Sequence, residues 1–123
     1  MLIPSIIKAD KPTVNNRVYS YADLMKLFEY LYPLILQGKC LVWYNEDTLV
    51  TESAVGIVKD AYILDDVIMF DIQLFSNHEV LYTLNTINHL RIDLILDILV
   101  NDIKDNSINL TDFKVEGLKL VKI

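Results

Sequence analysis

The chain has 123 residues, a length that suits a single domain spanning residues 1–123. Hydrophobic residues make up 53 %, and the net charge is −6, from 17 acidic against 11 basic residues. No cluster of lysines and arginines exists, so nucleic-acid binding is not predicted. Charge or proline interrupts every apolar run well before the roughly 18 residues of a membrane helix, and the N-terminus lacks the positive region of a signal peptide. The high apolar fraction indicates a large core or an apolar surface that meets a partner.

Residues 3–8 form a short apolar segment that predicts an edge strand, with Pro4 near its start where a lost backbone donor does least harm. Residues 9–20 contain a proline and an Asn-Asn pair and are typical of a loop.

A helix is predicted to begin at Ser20, because Ser20 and Asp23 have the spacing of a capping box. Pro33 should bend or end this helix near Tyr32, and Gly38 is a natural stop. The apolar positions repeat at spacings of three and four, which is typical of an amphipathic helix laid on a sheet; they are Leu24, Leu27, Phe28, Leu31 and Ile35.

Residues 54–75 predict two strands joined by a tight turn at Asp65 and Asp66. In the second strand one face is apolar throughout, and Phe70 in its middle should be buried. The first strand is apolar on both faces. A hairpin with so much apolar surface is not stable alone in water, so the rest of the chain must cover it.

The remaining segments predict a strand over residues 39–44, a loop over 45–53, a short helix within 76–88, a strand over 90–99 and a turn over 101–106. Residues 108–123 predict either a long final strand or a broken pair of strands, with a bulge at Gly117 where the alternation slips. The predicted class is α+β: a small, mainly antiparallel β-sheet or barrel of about six strands, with one amphipathic helix and one short helix packed on it.

Few residues have the pattern of a chemical site. His78 and His89 lie eleven positions apart in the sequence, without the partners a metal ion requires, so neither a metal nor a cofactor is predicted. The acidic pairs, Glu46 with Asp47 and Asp65 with Asp66, lie in predicted turns, where solvated carboxylates are usual. Cys40 lies in an apolar run and is predicted to be a buried thiol. Trp43, Tyr44 and Tyr62 form either a stacking surface or half-buried packing.

Four stretches, taken in order, resemble the prohead maturation proteases of tailed phages, which have the herpesvirus assemblin-like fold. Residues 14–20 (VNNRVYS) resemble the sequence ahead of the family's first helix. Gly38 resembles the glycine at the start of the strand that leads to the family's catalytic histidine. Residues 54–60 (AVGIVKD) and 115–121 (VEGLKLV) resemble the segments before the hairpin and near the end. The resemblance covers the chain from about residue 10 onward, and it implies the fold and a phage setting.

The catalytic residues of that family are missing. Where the family has its histidine, residues 44–47 read YNED, and where it has its serine, residues 89–93 read HLRID. Ser76 lies too early and Ser107 too late to replace that serine. A serine nucleophile requires a base within hydrogen-bond reach, so the prediction is that the chain has no catalytic residues.

The first functional hypothesis is therefore a non-enzymatic phage virion protein, an auxiliary or decoration protein that binds the major capsid protein or other virion proteins. It would lie in the capsid, and in the host cytoplasm during assembly. One alternative is a prohead maturation serine protease with a displaced or degenerate active site that uses His89. The other is a small phage-encoded protein-binding module.

A partner surface is predicted on the helix, because Tyr21, Tyr30 and Tyr32 fall off its inward face. Tyrosine is enriched at interfaces, since its ring adds contact area while its hydroxyl tolerates water. The alternative is that these side chains cover the edge of the sheet or are singly exposed.

Overall fold

The structure, a computed structural model, describes residues 1–13, 17–44, 48–75, 89–98, 103–104, 107–108, 110 and 113–122. The elements in chain order are β1 (Leu2–Lys8), β2 (Val18–Tyr19), α1 (Tyr21–Leu36), β3 (Leu41–Tyr44), a 3-10 helix (Thr51–Ser53), β4 (Gly56–Leu64), β5 (Val67–Leu74), β6 (Leu90–Ile98), β7 (Ile103–Lys104), β8 (Ser107–Ile108) and β9 (Phe113–Lys122).

Six of these strands close into a barrel in the order β1-β5-β4-β3-β9-β6. Four of the neighbouring pairs are antiparallel, whereas β1 with β6 and β3 with β9 run parallel. A second sheet has the order β2-β8-β7. The predicted class, α+β with a small barrel of about six strands, is confirmed, and the barrel is mixed.

One hydrophobic core fills the barrel and extends to the helix. The buried positions of β5 alternate as predicted, with Ile68, Phe70, Ile72 and Leu74 all turned inward. The buried face of α1 belongs to the same cluster of contacts, through Leu24, Leu27, Leu31 and Ile35. Because α1 packs mainly against β4, it covers one apolar side of the central hairpin.

The central hairpin has the predicted tight turn. Asp65 and Asp66 both have positive φ, 51° and 64°, which is the conformation of a type I′ turn. A bulge between Val58 and Asp60 shifts the register with β5. The shift puts Val58 and Ala61, three positions apart, both in the core, which explains why this strand does not alternate cleanly.

Helix α1 begins as predicted, and Pro33 does not end it near Tyr32. Ser20 is the N-cap, and the reciprocal capping box with Asp23 is present. Pro33 lies inside the helix, which continues to Leu36. Because Pro33 is exposed, the carbonyl that loses its hydrogen bond is on the solvent side, where water replaces the donor.

The predicted stop at Gly38 is confirmed. Its φ is +69°, and its N–H donates to the Ile35 carbonyl at 3.0 Å while the Lys39 N–H donates to the Leu34 carbonyl at 2.9 Å. These two bonds form a Schellman motif, for which a residue without a side chain is favoured.

The bulge predicted at Gly117 is also confirmed. Ile95 pairs with Gly117 and Leu96 with Val115, so Glu116 is the extra residue. A Cβ at Gly117 would lie 3.3 Å from the Trp43 ring and would collide with the Leu49 side chain. Trp43 is buried there as a packing residue.

Several boundaries differ from the predictions. Strand β1 is not an edge strand, because it pairs with β5 on one side and β6 on the other. The predicted loop 9–20 contains β2, the predicted loop 45–53 contains the 3-10 helix, and the predicted turn 101–106 contains β7. The helix predicted within 76–88 lies outside the described residues. In the part of the chain that the structure describes, no helix is long and apolar enough to cross a membrane.

Candidate functional site

The serines whose side chains are described are engaged in local structure. His89 is exposed just before β6, and no hydrogen bond joins it to a described serine. The serine hydroxyls donate instead to main-chain or capping oxygens: Ser5 to the Ile7 carbonyl at 2.8 Å, Ser20 to Asp23 Oδ2 at 2.9 Å, and Ser53 to the Val50 carbonyl at 3.0 Å. Ser76 and His78 lie outside the described residues.

Of the two acidic pairs, the one at the tip of the hairpin lies among the described residues, and its carboxylates are in contact with solvent. Asp65 and Asp66 are exposed at the tip of the hairpin, whereas Glu46 and Asp47 lie outside the described residues. Among the residues that the structure describes, no group of three or more histidine, cysteine, aspartate or glutamate side chains is arranged to hold a metal ion.

Cys40 is a buried free thiol, as predicted. Its exposed fraction is 5 %, and burial raises the pKa of the thiol to about 12. Because the thiolate is the nucleophilic form, this cysteine is a packing residue and not a reactive one.

The three tyrosines predicted as a partner surface do not lie on one patch of α1. Tyr30 and Tyr32 differ by about 200° around the helix axis, so they lie on opposite flanks. Tyr30 packs on Phe113 and Tyr32 on Phe28, each with ring centroids 5.3 Å apart. Tyr21 has 46 % of its surface exposed. Only Tyr21 is therefore a freely presented ring, and partner binding by the three stays a prediction.

A continuous apolar surface lies instead on the outer side of the central hairpin. Tyr62 of β4 pairs with Met69 of β5, which pairs with Pro4 of β1. The next row joins Leu64 to Val67. We call these five residues, together with Leu2 on the same side of β1, the hairpin face.

The hairpin face is open to solvent. Leu64 is 52 % exposed, Leu2 50 % and Tyr62 40 %, while Pro4, Val67 and Met69 are half-buried between them. The buried side chains of α1 belong to the core cluster, whereas Tyr62 and Leu64 of β4 point away from it into solvent. An exposed apolar patch of neighbouring residues on a barrel is typical of a surface that binds a partner.

Charged residues surround the hairpin face. Asp60, Asp65 and Asp66 are exposed at its β4 end and tip, and Lys8 is exposed beside Val67. An apolar centre within a polar rim is the usual anatomy of a protein–protein interface. The hairpin face therefore has the composition of a protein–protein interface.

The sequence signal for this surface was present but ambiguous. The first strand of the hairpin is apolar on both faces, so one of its faces had to be either covered or exposed. The pattern does not say which, because the phase of β4 changes at the bulge and the packing of α1 decides which face becomes the core. Tyr62 was predicted as a stacking or packing residue, and the structure places it in this surface.

Comparisons of the chain with families of proteins, with curated proteins and with solved structures found no match.

Proposed function

We propose that this chain is a non-enzymatic virion protein of a tailed phage, an auxiliary or decoration protein that binds the major capsid protein or another virion protein. The hairpin face is the observation that carries the binding role. The phage setting rests on the four ordered stretches that resemble prohead maturation proteases. The absence of that family's histidine and serine from the matching positions favours a role without catalysis.

The hairpin face suits a repeating protein shell. Its exposed members, Leu2, Tyr62 and Leu64, come from two strands held in fixed register by β5. A preformed surface on a closed barrel loses little conformational entropy when it docks, because the strands are already ordered. The aromatic ring of Tyr62 beside aliphatic neighbours matches the side chains that dominate interface energetics.

A stoichiometric presence in mature particles is the first expected result. Mass spectrometry of purified particles should find the intact chain in a fixed ratio to the major capsid protein. Incubation of the purified protein with the capsid and scaffold proteins of the phage should produce no cleavage. Absence from mature particles, together with specific cuts that vanish in His89→Ala or Ser107→Ala, would favour the maturation protease instead.

The second expected result concerns docking through the hairpin face. Tyr62→Thr with Leu64→Thr puts β-branched threonine, which favours strands, at both positions of β4, so the strand should be retained. Removal of both anchors should weaken binding to particles by about 1–3 kcal/mol, the range for truncated interface anchors. Co-sedimentation with particles measures the occupancy, and circular dichroism establishes that the variant is folded.

Two further variants separate the possible docking surfaces. Val50→Thr removes an exposed apolar side chain outside the hairpin face and should leave occupancy unchanged. Tyr21→Ala tests α1, and it is cleaner than truncation of Tyr30 or Tyr32, whose rings also pack on neighbours. If Tyr21→Ala lowers the occupancy and the β4 double variant does not, the docking surface is the helix.

A further inference from the structure

A cavity of about 470 Å³ opens where β1 and β6 separate. These two strands pair at Ser5 and Ile92 alone among the described residues. The cavity begins just beyond that pair, with Ile6 and Ile7 on one wall and residues 94–96 on the other. On its other side, β6 is paired with β9 along its whole length. One paired position thus closes the barrel at this seam, and the volume of the cavity is in the range of small-molecule sites.

An arm of the chain places two polar side chains over the opening. The Thr13 N–H donates to the Arg17 carbonyl at 2.8 Å, and the Arg17 N–H donates to Thr13 Oγ1 at 3.2 Å. The Asp10 N–H donates to the Tyr19 carbonyl at 2.7 Å. The first two bonds join residues 13 and 17 of the arm, the third joins Tyr19 to the residue two positions after β1, and the side chains of Arg17 and Tyr19 both line the cavity.

The polar lining has more positive than negative charge. Arg17 and Lys122 are the cations and Asp93 the carboxylate. Asp93 lies across from Lys119 on the neighbouring strand. Burial raises the pKa of Asp93, and the charge of Lys119 opposes that shift. The carboxylate is thus offset by a lysine outside the cavity lining, which leaves the two lining cations in excess.

The guanidinium group of Arg17 can donate hydrogen bonds to a ligand. Burial raises the pKa of the nearby Tyr19 hydroxyl, while the charge of Arg17 opposes that shift, so the hydroxyl keeps its proton. Within the described residues Arg17 takes part in no ion pair. A guanidinium has five N–H donors in a planar fork that matches a carboxylate or phosphate group.

The remainder of the lining is aliphatic. It consists of Ile6, Ile7, Leu94, Ile95, Leu96 and Val121. A ligand that satisfies both parts has a negatively charged head and an apolar body. A neutral apolar compound would leave the guanidinium without an anionic partner, and a cation would meet Arg17 and Lys122.

We propose that the cavity binds a small aliphatic anion, with a carboxylate or phosphate head at Arg17, Tyr19 and Lys122 and an apolar chain along the isoleucines and leucines of the seam. This site is separate from the hairpin face and does not depend on the function proposed above.

Titration of the isotope-labelled full chain with sodium octanoate tests this site. Saturable chemical-shift changes should appear at the amides of Ile7, Arg17 and residues 94–96, with a dissociation constant of micromolar to millimolar order. Octyl phosphate should shift the same amides, and the tighter of the two identifies the preferred head. Octanol should bind at least about tenfold more weakly, because a hydrogen bond to a charged group is lost.

Two charge variants and a control complete the test. Arg17→Gln should weaken octanoate binding by at least about tenfold, and Lys122→Gln, at the end of β9, should weaken it by about threefold or more. Lys59→Gln removes an exposed lysine on β4 that does not line the cavity and should change nothing. If Arg17→Gln does not fold, the affinity of Lys122→Gln for octanoate tests the proposal. Any of three results would overturn the proposal: octanol binds as tightly as octanoate, the charge variants bind octanoate with the affinity of wild type, or neither anion gives a saturable shift.

Discussion

Phe70→Ala should lower the free energy of unfolding by about 3–5 kcal/mol, the range for removal of a buried phenylalanine. The side chain of Phe70 has no exposed surface. On β5 it lies between Ile3 of β1 and Ala61 of β4, its partners in the two flanking strands. Alanine would therefore leave a space among core side chains of three strands whose pairing holds them in place.

The loss should approach the upper end of that range, because the site has little freedom to collapse. The cost of a truncation rises with the volume of the cavity that remains. Ala61 is too small to move into the space, and closer approach of β1 would disturb its pairing with both β5 and β6. A single loss of this size is a large part of the stability of an ordinary domain.

Urea denaturation of wild type and variant measures the change, with an unchanged m value as the sign that both unfold in the same way. Phe75→Ala is the matched control, since Phe75 follows the same strand and is 37 % exposed; we expect it to cost less than about 1 kcal/mol. A melting temperature of Phe70→Ala within about two degrees of wild type would mean that this face of β5 is not the core.

Asp23→Ala should destabilise the protein by about 2–4 kcal/mol, since it removes a helix cap and a buried hydrogen-bond acceptor at once. Asp23 is only 2 % exposed. Its Oδ2 accepts hydrogen bonds from the Ser20 N–H at 3.1 Å and the Ser20 hydroxyl at 2.9 Å. Its Oδ1 accepts the Leu110 N–H at 3.0 Å.

The hydrogen bond to the Leu110 N–H gives Asp23 a role beyond the local helix cap. Leu110 is wholly buried, and its carbonyl accepts a hydrogen bond from Lys26 Nζ at 2.6 Å. The first two turns of α1 thus fix both backbone groups of a residue 87 positions away from Asp23. Without the carboxylate, the Leu110 N–H would be buried without a partner, which costs more than the loss of an exposed bond.

Hydrogen exchange distinguishes this account from a general loss of stability. In Asp23→Ala the amide of Leu110 should exchange faster by a larger factor than the amides of β4 and β5. Glu29→Ala, at an exposed position of the same helix, should stay within about 0.5 kcal/mol of wild type. If Asp23→Ala is no less stable than Glu29→Ala, the carboxylate does not anchor the Leu110 segment.

Elements with a strong local pattern were predicted well. The alternation of residues 68–74, the turn at Asp65 and Asp66, the capping box at Ser20 and the bulge at Gly117 all have their causes within a few residues. Pro33 does not end α1 near Tyr32, for a reason outside the local pattern. Pro33 breaks a helix in isolation, but here the buried Leu31 and Ile35 on either side hold the last turn against the core.

The closure of the barrel depends on contacts that a local pattern does not encode. Alternation states which face of a strand is buried and says nothing of which strands become neighbours. The pairing of Ser5 with Ile92 turns the predicted edge strand into an interior one, and the pairing of Val42 with Leu118 joins the middle of the chain to its end.

Both surfaces of functional interest arise from that closure. By itself, the sequence determined the strands of the hairpin, the turn between them and the start of α1. The tertiary structure decided that α1 covers one side of β4 and leaves Tyr62 and Leu64 exposed on the other. It also decided that Arg17, Asp93 and Lys122 meet at one cavity. Residues so far apart in the chain come together only through the register of paired strands, which is set by the packing of the whole core.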